Sequence, residues 1–142
     1  MNKDVQIKIT GTHGSGKDKD TVVTNCSGFY YVKNDQIYLK YTEVDEDTKA
    51  TRNALVKVHD KTVSVEYKGI TDTYMLFEVG KSNNSMYITP LGSMRITITT
   101  KAMEIEQKED YLRIFLDYEM SFDEDKKGDQ RAILIEVKNI DK

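Results

Sequence analysis

Between Gly28 and Tyr41 the chain has one way of folding back on itself that sets apolar side chains opposite one another. Asn and Asp tolerate positive φ better than other non-glycine residues, so Asn34-Asp35 can turn the chain between segments rich in aromatic and β-branched side chains. Centring the turn there opposes Val32 to Ile37, Tyr30 to Leu39 and Gly28 to Tyr41 on one side of the ribbon. That side is the expected core. Phe29, Tyr31 and Lys33 with Gln36, Tyr38 and Lys40 form the other side. Gly28 facing Tyr41 predicts a bend where an aromatic ring covers bare backbone.

The same alternation runs through the chain, and no stretch longer than two turns keeps a helical apolar stripe without also alternating. Val5, Ile7 and Ile9 make a first strand, ending at a loop from Gly11 to Asp18. A second strand runs through Thr21 to Cys26 into the hairpin. Glu43 to Asn53, acidic and polar, reads as a long hairpin loop. A turn at Asp60-Lys61 then opposes Val58 to Val63, Val56 to Val65 and Ala54 to Tyr67. Thr73 to Val79 places Met75, Phe77 and Val79 on one face. Gly80 to Ser85 reads as a loop, Met86 to Thr89 as a short strand, and Pro90-Leu91-Gly92 as a turn. Met94, Ile96 and Ile98 alternate in the next strand. A turn at Glu109-Asp110 opposes Ile105 to Ile114 and Met103 to Leu116, and puts Leu112, Ile114, Leu116, Tyr118 and Met120 on one face. A charged loop, Asp123 to Gln130, leads to a last strand, Arg131 to Asn139.

About ten short strands at near-regular spacing predict an all-β fold, a single antiparallel meander closed into a β-barrel. Closure removes the exposed strand edges. The 142 residues fit one domain spanning residues 1–142, and a chain of this size buries roughly 70% of its unfolded surface. Lys and Arg number 21 against 24 Asp and Glu, without the basic excess or stripe of a phosphate-backbone binder, so no nucleic-acid partner is expected. No apolar leader opens the chain and no apolar run is long enough to span a membrane, which sets the expectation of a cytoplasmic protein with no membrane partner. The lone Cys26 reads as a small packed hydrophobe.

Gly11-Thr12-His13-Gly14-Ser15-Gly16-Lys17 matches most of a phosphate-binding loop. It lacks the Ser or Thr after the lysine that holds Mg²⁺, and it leads through Asp18 toward a strand rather than a helix. Calcium-loop spacing fails from Asp123, where Lys127 and Leu134 stand at ligand positions, and from Asp45, where Lys49 and Ala50 do. His13 and His59 with one cysteine make no zinc spacing, so neither metal nor cofactor is expected. Asp117 and Glu119 sit one pleat apart on a face that also carries Arg113, which reads as ordinary surface ion pairing rather than an acid and base.

The 9 tyrosines outnumber 4 phenylalanines, and no tryptophan occurs. Tyr30, Tyr41, Tyr67 and Tyr118 fall on inward faces. They read either as core with each hydroxyl finding a partner, or as polar tips in a cavity for an amphipathic ligand.

Gly28-Phe29-Tyr30-Tyr31-Val32 with Ile37-Tyr38-Leu39-Lys40-Tyr41-Thr42-Glu43 resembles the YwiB-like family of uncharacterised bacterial proteins. Thr89-Pro90-Leu91-Gly92, the strand from Thr97 to Thr100, and Asp117-Tyr118-Glu119-Met120 are similar to that family's later blocks. The resemblance implies a calycin-type barrel, related in architecture to lipocalins, in a bacterial cytoplasm, and brings no established activity. The chain lacks the Gly-x-Trp start and disulfide of secreted lipocalins, so their ligands do not carry over.

The functional expectation is a non-catalytic barrel that binds a small apolar or amphipathic molecule, lined by Tyr30, Leu39, Tyr41, Tyr67, Phe77, Met94, Leu116 and Tyr118. The rival is a filled barrel whose outer face, Phe29, Tyr31 and Tyr38, makes protein contacts or a homodimer. An enzyme is the weakest reading, because no nucleophile stands beside a base.

Overall fold

Alternating apolar residues dictate strands, and strands alone make up the computed structural model, which describes residues 3–14, 19–44, 47–122 and 128–139. They are β1 (Lys3–His13), β2 (Asp20–Lys33), β3 (Gln36–Val44), β4 (Thr51–His59), β5 (Thr62–Gly69), β6 (Asp72–Glu78), β7 (Ser82–Thr89), β8 (Gly92–Lys108), β9 (Tyr111–Phe122) and β10 (Asp129–Asn139). Each pairs antiparallel with its neighbour in sequence, and β1 pairs with β10, so the ten strands close into a meander barrel.

The registers follow from the turns. Asn34 and Asp35 take φ of 53° and 63°, as the turn that matches strand twist requires at both central positions. The pairs Val32↔Ile37, Tyr30↔Leu39 and Gly28↔Tyr41 result. The turn at Asp60-Lys61 sets Val58↔Val63, Val56↔Val65 and Ala54↔Tyr67, and the turn at Glu109-Asp110 sets Ile105↔Ile114 and Met103↔Leu116. All three registers match the sequence expectation.

Inward side chains form one apolar cluster. Leu39, Val56, Val63, Phe77, Ile96, Ile114 and Leu116 retain no exposed surface, and each such burial stabilises by about 1.5–3 kcal/mol. Phe77 meets Tyr118 edge to face with centroids 4.9 Å apart. At Gly28 a Cβ would collide with the Ile7 side chain and lie 2.5 Å from the Lys40 carbonyl oxygen. Only glycine lets β2 bend inward there. Charged residues face outward along the strands, with Lys40, Lys57, Lys68 and Glu119 among them. This polarity is the reverse of a lipid-facing barrel, which carries its apolar band outside. Among the described residues, no helix is long and apolar enough to cross a membrane.

β8 changes phase within its length. Thr100 pairs with Tyr118 and Ala102 with Asp117, leaving Lys101 as the extra residue of a bulge. Ile96, Ile98 and Thr100 are buried before it, and Met103 packs against the same core after it. The freed Lys101 ammonium reaches Glu119 at 2.9 Å and Gln130 at 2.7 Å.

Several boundaries differ from the sequence expectation. Glu43 to Asn53 is strand at both ends, because β3 runs to Val44 and β4 starts at Thr51, pairing Glu43 with Arg52 and Thr42 with Asn53. Gly80 to Ser85 is not all loop, since β7 starts at Ser82 and pairs with β8 from there. β1 continues through Gly11 to His13, paired on both edges. Ser15 to Asp18, Asp45 and Asp123 to Lys127 lie outside the described residues. Val32, Val79 and Met94, expected on inward faces, are 37%, 54% and 37% exposed. Each sits at a strand end, beyond the level where the opposite wall can cover it.

Candidate functional site

Strand alternation carries past the apolar core at one end of the barrel and there places polar residues on the inside. Two residues beyond Tyr41 and two before Ala54 come Glu43 and Arg52, paired across β3 and β4. The Arg52 guanidinium nitrogen lies 3.1 Å from Glu43, and its carbon lies 3.8 Å from the Tyr67 ring centroid. Arg52 pairs with Gly69 in turn, where a Cβ would fall 2.7 Å from the Arg52 Cα. Gly69 therefore lets β4 and β5 close over the ion pair. Below it, the Tyr41 and Tyr67 hydroxyls meet at 3.5 Å.

The other wall adds Tyr118, which pairs with Thr100 on one side and Arg131 on the other. Arg131 leans over Phe122 at 5.8 Å and reaches Asp129 at 3.6 Å. Thr71, Thr73 and Thr100 hydroxyls and the Arg131 Nε are buried with no hydrogen-bond partner among the described residues. Thr73 and Thr100 are 6% and 1% exposed. Leaving a buried polar group unpaired costs about 1–3 kcal/mol; Thr71 and Thr73 lie at this end of the barrel, whereas the Thr100 backbone is bonded to Gly80 and Lys81 at the β6–β7 turn.

Burial sets the electrostatics here. Desolvation pushes the Tyr41 hydroxyl well above its usual pKa, with Tyr67 and Glu43 adding to it. Tyr67 is raised by burial and by Glu43, against the lowering effect of Arg52. Tyr118 is pushed up to about 12 by burial, although Arg131 pulls the other way. Burial, with Glu43 nearby, also raises the Cys26 thiol, which keeps it protonated and a poor nucleophile. These groups donate and accept hydrogen bonds and carry no activated nucleophile.

At this mouth a cavity of about 300 Å³ opens between the ends of β3 and β4, the β5–β6 connection and β7. Glu43, Arg52 and Thr71 supply its polar wall, and Val44, Ile70 and Tyr87 its apolar one. A second concavity of about 620 Å³ lies on the outer face of β2 to β5, over Ser27, Thr42 and Asn53 and against Phe29 and Leu55.

Of the residues expected to line a lumen, Tyr30, Leu39, Tyr41, Tyr67, Phe77, Leu116 and Tyr118 are all buried in the core cluster, packed on one another. Met94 is a correction: it shares the inward side of β8 with Ile96 but lies nearer the strand's start, opposite Tyr87, and is 37% exposed. Tyr41, Tyr67 and Tyr118 come together at the polar end, whereas the Tyr30 hydroxyl is separate, accepting from Gln107 at 2.9 Å. Phe29, Tyr31 and Tyr38 form a row outside, with Tyr31 and Tyr38 stacked at 4.7 Å and Lys40 and Lys57 over their rings.

Asp117 and Glu119 do not form a pair; Gln130 donates to Asp117 and Lys101 binds Glu119, while Arg113 turns to Glu104. His13 lies 3.5 Å from Asp129. Among the described residues, no three His, Cys, Asp or Glu side chains gather as a metal would need.

Sequence reasoning missed Glu43, Arg52, Thr71, Thr73, Thr100 and Arg131. The signal was present for two of them: continuing the Tyr41↔Ala54 register by one pleat opposes Glu43 to Arg52, opposite charges on an inward face.

The chain is 28% identical over 103 residues to the uncharacterized beta-barrel protein YwiB of Bacillus subtilis (strain 168), covering 72% of this chain and 71% of that one. Its fold superposes on the crystal structure of the ywiB protein from Bacillus subtilis with a TM-score of 0.84 at 21% identity, covering 97% of this chain and 92% of the other. A family model described as a domain of unknown function (DUF1934) matches residues 7–133. With the barrel and its register established, the chain belongs to this DUF1934 family of β-barrel proteins.

Proposed function

We propose that the protein is a non-catalytic carrier that seats a small amphipathic molecule at the polar mouth of the barrel rather than along its length. One observation carries this reading: among the described residues the buried hydroxyls of Thr71 and Thr73 and the Arg131 Nε have no hydrogen-bond partner, and the first of them lines a cavity of about 300 Å³. A molecule with an apolar body against Val44 and Ile70 and a hydrogen-bonding end toward Thr71 and Arg52 satisfies both walls. That volume is at the low end of small-molecule sites, about 300–1,000 Å³. The apolar centre of the barrel supplies rigidity, and the working setting is a calycin-type protein in a bacterial cytoplasm, where Cys26 stays reduced.

Native mass spectrometry of protein purified from its own cells, compared with the denatured sample, tests this. A reproducible extra mass that disappears on denaturation and is absent from the Arg52→Met protein is the expected result. The bare chain mass in the unsubstituted protein overturns it.

The second reading is contact with another protein or a second copy through Phe29, Tyr31 and Tyr38. The concavity of about 620 Å³ beside Phe29 favours it, since large concave apolar surfaces mark interaction sites. A dimer mass in the same experiment, lost on Tyr31→Lys, supports that reading.

A further inference from the structure

The cavity at the mouth carries one acid and one base, and the two are paired with each other. Among the described residues that line it, Glu43 and Arg52 are the only charge-bearing side chains, and they face one another across β3 and β4. Below them the Tyr41 and Tyr67 hydroxyls meet, and burial raises both hydroxyls and the Cys26 thiol, which stay protonated. The lining therefore presents no net charge for a charged ligand to answer. A carboxylate seated here shares the site with Glu43, and an ammonium shares it with Arg52. Like charges close together disfavour the second ionised group, and either ligand leaves water without a free partner to replace its hydration.

What the lining does supply is hydrogen bonding. Arg52 approaches Glu43 Oε2 at 3.1 Å but donates to Oε1, at 3.5 Å. Oε2 is thus buried with no hydrogen bond among the described residues, and so is the Thr71 hydroxyl. Both groups belong to the same cavity. A carboxylate oxygen only accepts, whereas a hydroxyl donates and accepts. A ligand hydroxyl satisfies the two together, its O–H donating to Oε2 and its oxygen accepting from Thr71. A carboxylate has no proton to give to Oε2, and an ammonium has no lone pair to take the Thr71 proton.

The rest of the wall sets the other end of the molecule. Val44 and Ile70 line the cavity and are 55% and 51% exposed, apolar surface that a hydrocarbon chain covers. The chain is short. At roughly 30 Å³ for each non-hydrogen atom, the share of one water in the liquid, a volume of about 300 Å³ takes roughly ten such atoms.

We infer that the mouth binds an uncharged molecule with a short apolar chain and a hydroxyl end, and that the Glu43–Arg52 pair excludes its charged analogues. The inference rests on the carrier reading and names the class of ligand carried.

The test uses the full chain with 1-octanol, octanoate and octylammonium as probes at neutral pH. Isothermal titration gives affinity, and amide chemical shifts give the place. The expected result is saturable binding of octanol, shifts centred on Glu43, Arg52 and Thr71, and affinity at least about tenfold weaker for both charged probes. Glu43→Gln keeps the shape and frees the guanidinium, and is expected to reverse the order so that octanoate binds tightest. Arg52→Met is expected to favour octylammonium in the same way. A charged probe that binds the unsubstituted protein as tightly as octanol overturns the inference and leaves the carrier reading standing. So does a preference for octanol that Glu43→Gln leaves unchanged, since it then comes from the apolar wall alone. Binding of none of the three also overturns the inference, and the extra mass in native mass spectrometry then decides separately whether the carrier reading survives.

Discussion

Arg52 sits over the Tyr67 ring, its guanidinium carbon 3.8 Å from the ring centroid, while its nitrogen holds Glu43 at 3.1 Å. One side chain thereby ties three strands together at the mouth of the barrel. Arg52→Met is expected to destabilise the fold by about 1–3 kcal/mol, since it removes a cation–π contact and leaves a half-buried carboxylate unpaired. Urea denaturation measures this. Combining Arg52→Met with Glu43→Gln should recover part of the loss, and strict additivity of the two changes would show that the ion pair does not couple them.

Three buried tyrosines set the alkaline limit. Burial raises Tyr41, Tyr67 and Tyr118, the last to about 12, against about 10 in the unfolded chain. The folded state holds its protons more tightly, so the stabilisation is complete below the unfolded value and is lost as pH rises from there through the folded values. Tyr118 alone accounts for about 2–3 kcal/mol across that window. Denaturant midpoints are expected to fall steeply above pH of about 10, less so in Tyr118→Phe, and a flat profile would count against the burial argument.

Thr73→Val removes a buried hydroxyl that has no partner among the described residues and keeps its shape. The ligand-free protein is expected to gain about 1 kcal/mol, while any mass carried in native mass spectrometry weakens. A loss of stability would mean that the hydroxyl is satisfied in solution.

Gly28→Ala is expected to cost about 2 kcal/mol or more, because the new Cβ meets the Ile7 side chain and sits 2.5 Å from the Lys40 carbonyl oxygen. The thermal midpoint reports it, and an unchanged midpoint would show that the bend relaxes.

Asp35→Gly is expected to raise stability by about 0.5–1 kcal/mol, since Asp35 holds φ of 63° at the second turn position, where glycine is unstrained. Chemical denaturation gives the sign directly.

The three hairpin registers were legible because each depends on adjacent residues: Asn34-Asp35, Asp60-Lys61 and Glu109-Asp110 sit midway between matching apolar runs. A slip by one residue would turn every apolar side chain outward, so local pattern decides the pairing. The bulge at Lys101 was also implied in the chain, where Met94, Ile96 and Ile98 fall on even positions and Met103 and Ile105 on odd ones. Closure of β1 on β10 follows the same alternation.

What alternation along single strands could not convey was which inward positions would be enclosed. Met94 and Ile96 are in phase on one strand, yet only Ile96 has an opposite wall to bury it. Thr73 and Arg131 lie far in the chain from the hairpin pair Glu43 and Arg52, and only the curvature and shear of the closed sheet bring them to one end. Local physics determined the strands and their faces, whereas burial and the polar mouth depend on distances between strands that exist only once the barrel has closed.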